Sequence, residues 1–119
     1  MTPPLRILVV DDDPRVRAGL AGALGATAGV ALVAVTGSPA RALAVAAAGR
    51  ADVALVDALL PADADGVALV RRLSPHVPVV AISLDGTCRR DALAAGAVAY
   101  LEKDGSLDDL VATLREAAS

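Results

Sequence analysis

Five short, apolar runs constrain most strongly what this chain can fold into. Each run lacks polar alternation, and each is followed by a stretch with helical signals. Strands of this kind are covered on both faces, which is typical of parallel sheets packed between helices. Right-handed crossovers then predict a doubly wound α/β domain. The predicted strands are Leu5–Val10, Val30–Val35, Val53–Asp57, Val77–Ser83 and Val98–Leu101.

Capping and periodicity signals place five helices between and after these strands. Asp13–Pro14 and Ser38–Pro39 each combine an N-cap side chain with a proline at the first helical position. The remaining helices are predicted over Val67–Leu73, from about Thr87 to Ala95, and after Ser106. Residues 60–66 are interpreted as a loop, and residues 85–86 as a turn.

Composition limits the class of protein. The 119 residues fit one domain, and 55% of them are apolar, mostly Ala, Val and Leu, with Tyr100 as the only aromatic. A net charge of −3 without an arginine cluster argues against direct nucleic-acid contact by this segment. The single cysteine, Cys88, excludes an internal disulfide and indicates a reducing, cytoplasmic setting. No signal peptide is predicted, because charged residues appear at Arg6 and Asp11 with no cleavage-like site. No membrane span is predicted either, because the uncharged residues 18–40 are interrupted by Gly and Pro.

Polar groups stand where the predicted strands end. Asp11 and Asp12 follow the first strand, Asp57 ends the third, Ser83 ends the fourth, and Lys103 follows the fifth. In an open parallel sheet, ligands bind at the carboxyl ends of the strands, where the winding reverses. These side chains are therefore expected to converge at one edge of the sheet.

The chemistry of these groups indicates a metal and a phosphoryl group. Three carboxylates without a nearby His or Cys are typical of a hard cation, Mg²⁺ or alternatively Mn²⁺. A lysine and a hydroxyl opposite that cation suit the oxygens of a phosphoryl group. The chain has no Gly-rich phosphate loop, so a nucleotide is not the expected donor. A carboxylate nucleophile that forms an acyl phosphate is the natural interpretation.

Four segments, in order along the whole chain, resemble bacterial two-component response regulator receiver domains. They are residues 7–14 (ILVVDDDP), 56–61 with Asp65–Gly66, 80–83 (VAIS) and 95–103 (AGAVAYLEK). The resemblance implies one receiver domain over residues 1–119, with a flavodoxin-like five-stranded sheet of order 2-1-3-4-5 and five helices. The Lys103–Asp104 pair is similar to receivers of the NarL/LuxR type, which carry helix-turn-helix output domains.

The resemblance also implies roles for the site residues. Asp57 matches the phosphoacceptor, and Asp11 and Asp12 match the acidic pair that binds Mg²⁺ with it, helped by the backbone carbonyl of Leu59. Lys103 matches the lysine that pairs with the phosphoryl group.

Two further residues match the family's switch. Ser83 matches the hydroxyl residue that moves toward the phosphoryl group, and Tyr100 matches the aromatic residue that turns inward as it does. Tyr100 could instead be an ordinary aromatic of an edge strand.

The resemblance implies partners as well. A sensor histidine kinase or a phosphotransfer protein would supply the phosphoryl group, and the surface of helix 4, strand 5 and helix 5 would signal to an output, through a DNA-binding domain outside this segment. The domain would catalyse only its own phosphorylation and dephosphorylation, and homodimerisation on phosphorylation stays open. The chain is expected to be a piece of a longer regulator.

Departures from the family pattern keep a second hypothesis open. Leu84 stands where Ala or Gly is common in the family. The segment from Asp57 to Gly66 is one residue longer than usual, and the segment from Ser83 to Lys103 is about two residues shorter than usual. Of these departures, Leu84 and the longer acidic loop support the alternative, a phosphorylation-independent interaction module on the same fold. A phosphohydrolase is disfavoured, because Leu59 stands where a second catalytic acid would be needed.

Overall fold

The computed structural model describes residues 2–58, 64–84 and 86–119. Five parallel strands form one sheet in the order β2-β1-β3-β4-β5. This order confirms the predicted flavodoxin-like fold. The strands are β1 Leu5–Val10, β2 Val30–Thr36, β3 Val53–Asp57, β4 Val79–Ser83 and β5 Ala99–Glu102.

Five helices cover the two faces of the sheet, and three of them begin at the predicted caps. The side chains of Asp13, Ser38 and Ser106 each accept a hydrogen bond from a backbone N–H in the first turn that follows. The helices are α1 Pro14–Gly25, α2 Pro39–Ala47, α3 Ala64–Leu73, α4 Arg89–Ala94 and α5 Leu107–Ala118.

The core has two layers, one on each face of the sheet. Alternate residues of the central strands point to opposite faces, so that Leu8 and Val56 join the layer under α2, α3 and α4, whereas Val9 and Leu55 join the layer under α1 and α5. All residues of β3 and β4 are buried. The two strands that carry Asp57 and Ser83 are therefore fixed by packing on both sides.

The largest error in the predicted boundaries concerns α3, which begins at Ala64 and not at Val67. Gly66 suggested a loop, but it lies inside the helix. A Cβ at this position would collide with the backbone carbonyl of Ala58 and would lie 2.8 Å from the carbonyl oxygen of Asp57. The glycine is thus required by close packing of α3 against the end of β3.

Smaller differences have local causes. β4 begins at Val79, because Pro78 has no N–H to contribute to the sheet, although its carbonyl accepts a hydrogen bond from Ala54. The helix predicted from Thr87 to Ala95 is divided into a 3₁₀ turn, Gly86–Cys88, and the six residues of α4. β2 ends one residue later than predicted, and β5 is shifted by one residue toward the carboxyl end. Asp85 lies outside the described residues, as do residues 59–63, which include Leu59.

A membrane-spanning helix requires both sufficient length and high hydropathy. Within residues 2–58, 64–84 and 86–119, none of the helices is both long and apolar enough to cross a bilayer.

Candidate metal centre at the carboxyl edge of the sheet

Three carboxylates converge at the carboxyl ends of β1 and β3. Oxygen atoms of Asp11, Asp12 and Asp57 all lie within 4.8 Å of one another. Asp11 is 1% exposed and Asp57 is 4% exposed, whereas Asp12 is more accessible. The predicted acidic cluster is therefore present, with two carboxylates buried at its base and one toward solvent.

Hydrogen bonds hold Asp11 in place. Its backbone N–H donates to the carbonyl of Thr36 at 3.0 Å, which extends the pairing of β1 with β2 by one residue. Its Oδ1 accepts from the backbone N–H of Asp13 at 2.9 Å, and its Oδ2 accepts from Lys103 Nζ at 3.0 Å. This carboxylate is thus oriented by the start of α1 on one side and by Lys103 on the other.

Lys103 bridges the two buried carboxylates. Its Nζ lies 3.0 Å from Asp11 Oδ2 and 3.2 Å from Asp57 Oδ2, and its side chain is only 15% exposed. Burial of the ammonium opposes its charge, but the hydrogen bonds and the negative charges of Asp11 and Asp57 outweigh that penalty, so the pKa of Lys103 is raised above its ordinary value. The lysine therefore carries a proton at neutral pH.

The charges at this edge do not balance. When all four groups are ionised, three carboxylates face one ammonium, which leaves a formal charge of −2 in a largely buried site. Such an excess is costly unless a cation compensates it. The donors are all oxygens, with no His or Cys among them, and this set fits Mg²⁺. Leu59, whose carbonyl was predicted as a further ligand, lies outside the described residues.

Ser83 brings an unsatisfied hydroxyl to the same edge. It is fully buried, and within the described ranges its Oγ is the only buried side-chain polar atom without a hydrogen-bond partner. Its carbonyl accepts from the backbone N–H of Lys103 at 2.8 Å. An unpaired buried hydroxyl costs about 1–3 kcal/mol, so the site favours a ligand with acceptor oxygens.

Tyr100 lies in the last strand, β5. It pairs in register with Ala81, two residues before Ser83, and its side chain is buried in the layer under α4. The guanidinium of Arg89 lies 5.9 Å from the centre of its ring, within cation–π range. The predicted switch aromatic is thus held inward in this structure.

Two residues at this edge were missed by the sequence analysis. Arg17 Nη1 donates to the backbone carbonyl of Asp11 at 2.7 Å, and Gly37 lies against that guanidinium. The spacing of Arg17 from the acids offers no signal by itself, because the contact depends on how α1 leaves β1. Gly37 was interpreted only as part of a turn.

Comparison with known proteins agrees with this geometry. Residues 7–115 match the response regulator receiver domain family. The DNA-binding transcriptional activator DevR/DosR of Mycobacterium tuberculosis is 36% identical over 105 residues, covering 84% of this chain and 48% of that protein. The chain therefore spans about half the length of this relative.

Solved structures give the same result. The receiver domain of the response regulator NarL from M. tuberculosis superposes with a TM-score of 0.86 at 29% identity, covering 98% of both chains. The receiver domain of the sensor histidine kinase PA1611 from Pseudomonas aeruginosa, which has a magnesium ion coordinated in its active site cleft, superposes with a TM-score of 0.82 at 25% identity, covering 97% of this chain and 98% of that one. Family match, fold and acidic cluster together lead to one conclusion: this chain belongs to the response regulator receiver domain family.

Proposed function

We propose that this domain accepts a phosphoryl group on Asp57 in a Mg²⁺-dependent reaction and acts as a phosphorylation-controlled switch. The observation that carries the proposal is the arrangement around Asp57. A buried carboxylate at a strand end is bonded to Lys103 and lies among two further acids. The unsatisfied hydroxyl of Ser83 is buried at the same edge.

The metal site of the proposal consists of Asp11, Asp12 and Asp57, together with the backbone carbonyl of Leu59. Mg²⁺ is the expected ion, with Mn²⁺ as an alternative. When bound, the ion neutralises charge on the phosphoryl oxygens and lets them approach the carboxylates. The magnesium in the PA1611 receiver domain supports this assignment.

The reaction follows from the charges. A carboxylate oxygen of Asp57 attacks phosphorus, the bond to the leaving group of the donor breaks, and an acyl phosphate remains. Lys103, which already bonds the Asp57 carboxylate, transfers that interaction to the more negative phosphoryl oxygens. The donor is a phosphohistidine of a sensor histidine kinase or a phosphotransfer protein, and the domain acts on no other substrate.

The conformational step starts at Ser83. Its free hydroxyl donates to a phosphoryl oxygen, and this draws the end of β4 toward Asp57. The packing of Tyr100 within the layer under α4 then changes, and the surface of α4, β5 and α5 changes its population of two states. A shift from mostly inactive to mostly active requires about 5 kcal/mol of differential interaction. Charged contacts with Lys103 and Ser83 are suited to supply it.

The output of the switch lies outside this segment. Since the DevR/DosR relative is a DNA-binding transcriptional activator of about twice this length, we propose that transcription is controlled through a DNA-binding domain elsewhere in the same regulator, in the cytoplasm. Homodimerisation on phosphorylation is one route for the signal. This segment itself, with a net charge of −3, makes no nucleic-acid contact in the proposal.

A second candidate is a phosphorylation-independent interaction module. Leu84 supports it, because this bulky apolar residue directly follows Ser83 and is 74% exposed. An apolar side chain so close to the site would suit contact with a protein partner and would hinder access of a phosphoryl donor.

The test is intact-mass measurement after incubation with acetyl phosphate, with and without Mg²⁺, on the wild type and on Asp57→Asn. We expect one added phosphoryl group that requires Mg²⁺ and is absent from the variant. A folded wild type that gains no phosphoryl group under any condition would favour the interaction module.

A further inference from the structure

Arg17 restrains the backbone that carries the acidic pair. This residue lies in the first turns of α1, and its Nη1 donates a 2.7 Å hydrogen bond to the carbonyl of Asp11, six residues earlier. The accepting carbonyl belongs to the peptide that joins Asp11 to Asp12. The bond therefore fixes the orientation of the peptide between two of the proposed Mg²⁺ ligands.

Gly37 leaves the space that this bond requires. A Cβ at position 37 would lie 2.7 Å from Arg17 Nη1, 3.3 Å from the carbonyl oxygen of Asp11 and 3.5 Å from the Cα of Asp12. The backbone of Gly37 is not in the left-handed region, which among the described glycines is occupied by Gly29, Gly49 and Gly96. An alanine at position 37 would thus displace the guanidinium and crowd the carbonyl oxygen of Asp11, without straining its own backbone.

We propose that Arg17 is a positioning residue that orders the Asp11–Asp12 peptide for Mg²⁺ binding, and that the missing side chain of Gly37 leaves the space its guanidinium needs. This inference rests on the proposed function, because it assigns Mg²⁺ to the acidic cluster. Outer contacts that orient metal ligands commonly change metal affinity by about 10–100-fold when removed.

Charge repulsion and positioning predict opposite changes in Mg²⁺ affinity when Arg17 is replaced. A guanidinium beside a cation site repels the cation, so its removal would strengthen Mg²⁺ binding if charge alone mattered. A positioning role predicts the opposite, since a freed peptide must be ordered again each time the metal binds. Gly37→Ala separates the two effects further, because it moves the guanidinium but keeps its charge.

The experiment measures the Kd of Mg²⁺ by titration calorimetry on metal-free protein at fixed ionic strength. The variants are Arg17→Gln, Arg17→Lys and Gly37→Ala. Asp12→Asn removes a proposed ligand, and Gly19→Ala is a matched control, since a Cβ at position 19 meets nothing within 4 Å. We expect binding about tenfold weaker in Arg17→Gln and Gly37→Ala, and no change in Gly19→Ala. The loss should be smaller in Arg17→Lys, whose charged ammonium is a stronger hydrogen-bond donor than the amide of Gln. Thermal unfolding in EDTA reports the stability of each variant without metal.

Four results would overturn the inference. Binding by Arg17→Gln that is equal to or tighter than that of the wild type would show that charge, not positioning, dominates. Losses of affinity that follow the losses of Tm in EDTA across the variants would indicate a merely structural role. A wild type that binds no Mg²⁺ would remove the proposed function as well, whereas binding that is lost in Asp12→Asn but unchanged in Arg17→Gln and Gly37→Ala would remove this inference alone.

Discussion

Two cation–carboxylate contacts at opposite ends of the sheet use the same chemistry in different surroundings. At the amino-terminal end, Arg6 and Asp52 form an ion pair with N···O of 3.0 Å, and their side chains are 45% and 34% exposed. At the carboxyl end, Lys103 contacts two carboxylates whose side chains are 1% and 5% exposed. The first contact pairs one positive charge with one negative charge, whereas the second leaves an excess of buried negative charge.

The difference shows how a site can be separated from a structural ion pair. Asp52 accepts hydrogen bonds from the backbone N–H of Arg6 and from its Nε and Nη2, so one carboxylate is matched with one guanidinium. The Lys103 cluster is incomplete, because it retains unbalanced carboxylates and the unpaired hydroxyl of Ser83 nearby. Unsatisfied buried groups are unfavourable for folding alone, and they indicate a bound ligand.

Replacement of Lys103 should have the largest effect on stability. Lys103→Met leaves Asp11 and Asp57 buried without their cation, and breaking a buried pair in this way costs about 3–5 kcal/mol. We expect a loss in this range from urea unfolding in EDTA. Added Mg²⁺ should restore much of the loss, since the ion supplies the missing positive charge.

The control is Arg6→Met, which removes a cation of the same charge from the opposite edge. We expect a small loss of stability that Mg²⁺ does not reverse, because Arg6 is remote from the acidic cluster. Two results would contradict the distinction between the two edges. One is an equal loss of unfolding free energy in the two variants. The other is a Lys103→Met protein that Mg²⁺ stabilises no more than it stabilises the wild type.

Removal of Asp52 should have the smallest effect, and one that depends on pH. The side-chain hydrogen bond from Arg6, followed by the bond from its backbone N–H, holds the pKa of Asp52 below its ordinary value of 3.8. A lowered pKa contributes stability above the ordinary value and loses it as pH falls through the folded-state value. Asp52→Asn should therefore lower Tm by about 1–2 °C at pH 7.

The same comparison carried to acid pH completes this test. As pH falls below 3.8 and through the lower folded-state pKa of Asp52, the carboxyl becomes protonated in the folded wild type too, so its advantage over Asp52→Asn should disappear. Thermal unfolding of both proteins between pH 2 and pH 7 measures the difference. A gap in Tm that stays constant or widens toward acid would show that the pair contributes through packing and not through charge.

The sheet and the acidic edge could be predicted because their signals are local. Apolar runs define the strands, and carboxylates at the strand ends necessarily meet at one edge once the strands are parallel. This logic brought Asp11, Asp12 and Asp57 together with Lys103. It required no knowledge of individual contacts.

The contacts that depend on packing between distant segments could not be predicted. Gly66 signalled a loop by its residue type, yet it is needed inside α3 by its approach to the carbonyl of Ala58. Neither the hydrogen bond of Arg17 nor the pairing of Arg6 with Asp52, 46 residues away, corresponds to any repeating pattern in the sequence. The unpaired state of Ser83 Oγ likewise appears only in three dimensions.

Identification of the phosphorylated residue tests the central claim most directly. Acyl phosphates are reduced by borohydride, so a phosphorylated aspartate becomes homoserine and can be located in peptides by tandem mass spectrometry. After incubation with acetyl phosphate and Mg²⁺, we expect homoserine at position 57 and unmodified aspartate at positions 11 and 12. Homoserine at position 11 or 12, or none at any position, would contradict the account of this edge as a phosphoacceptor site centred on Asp57.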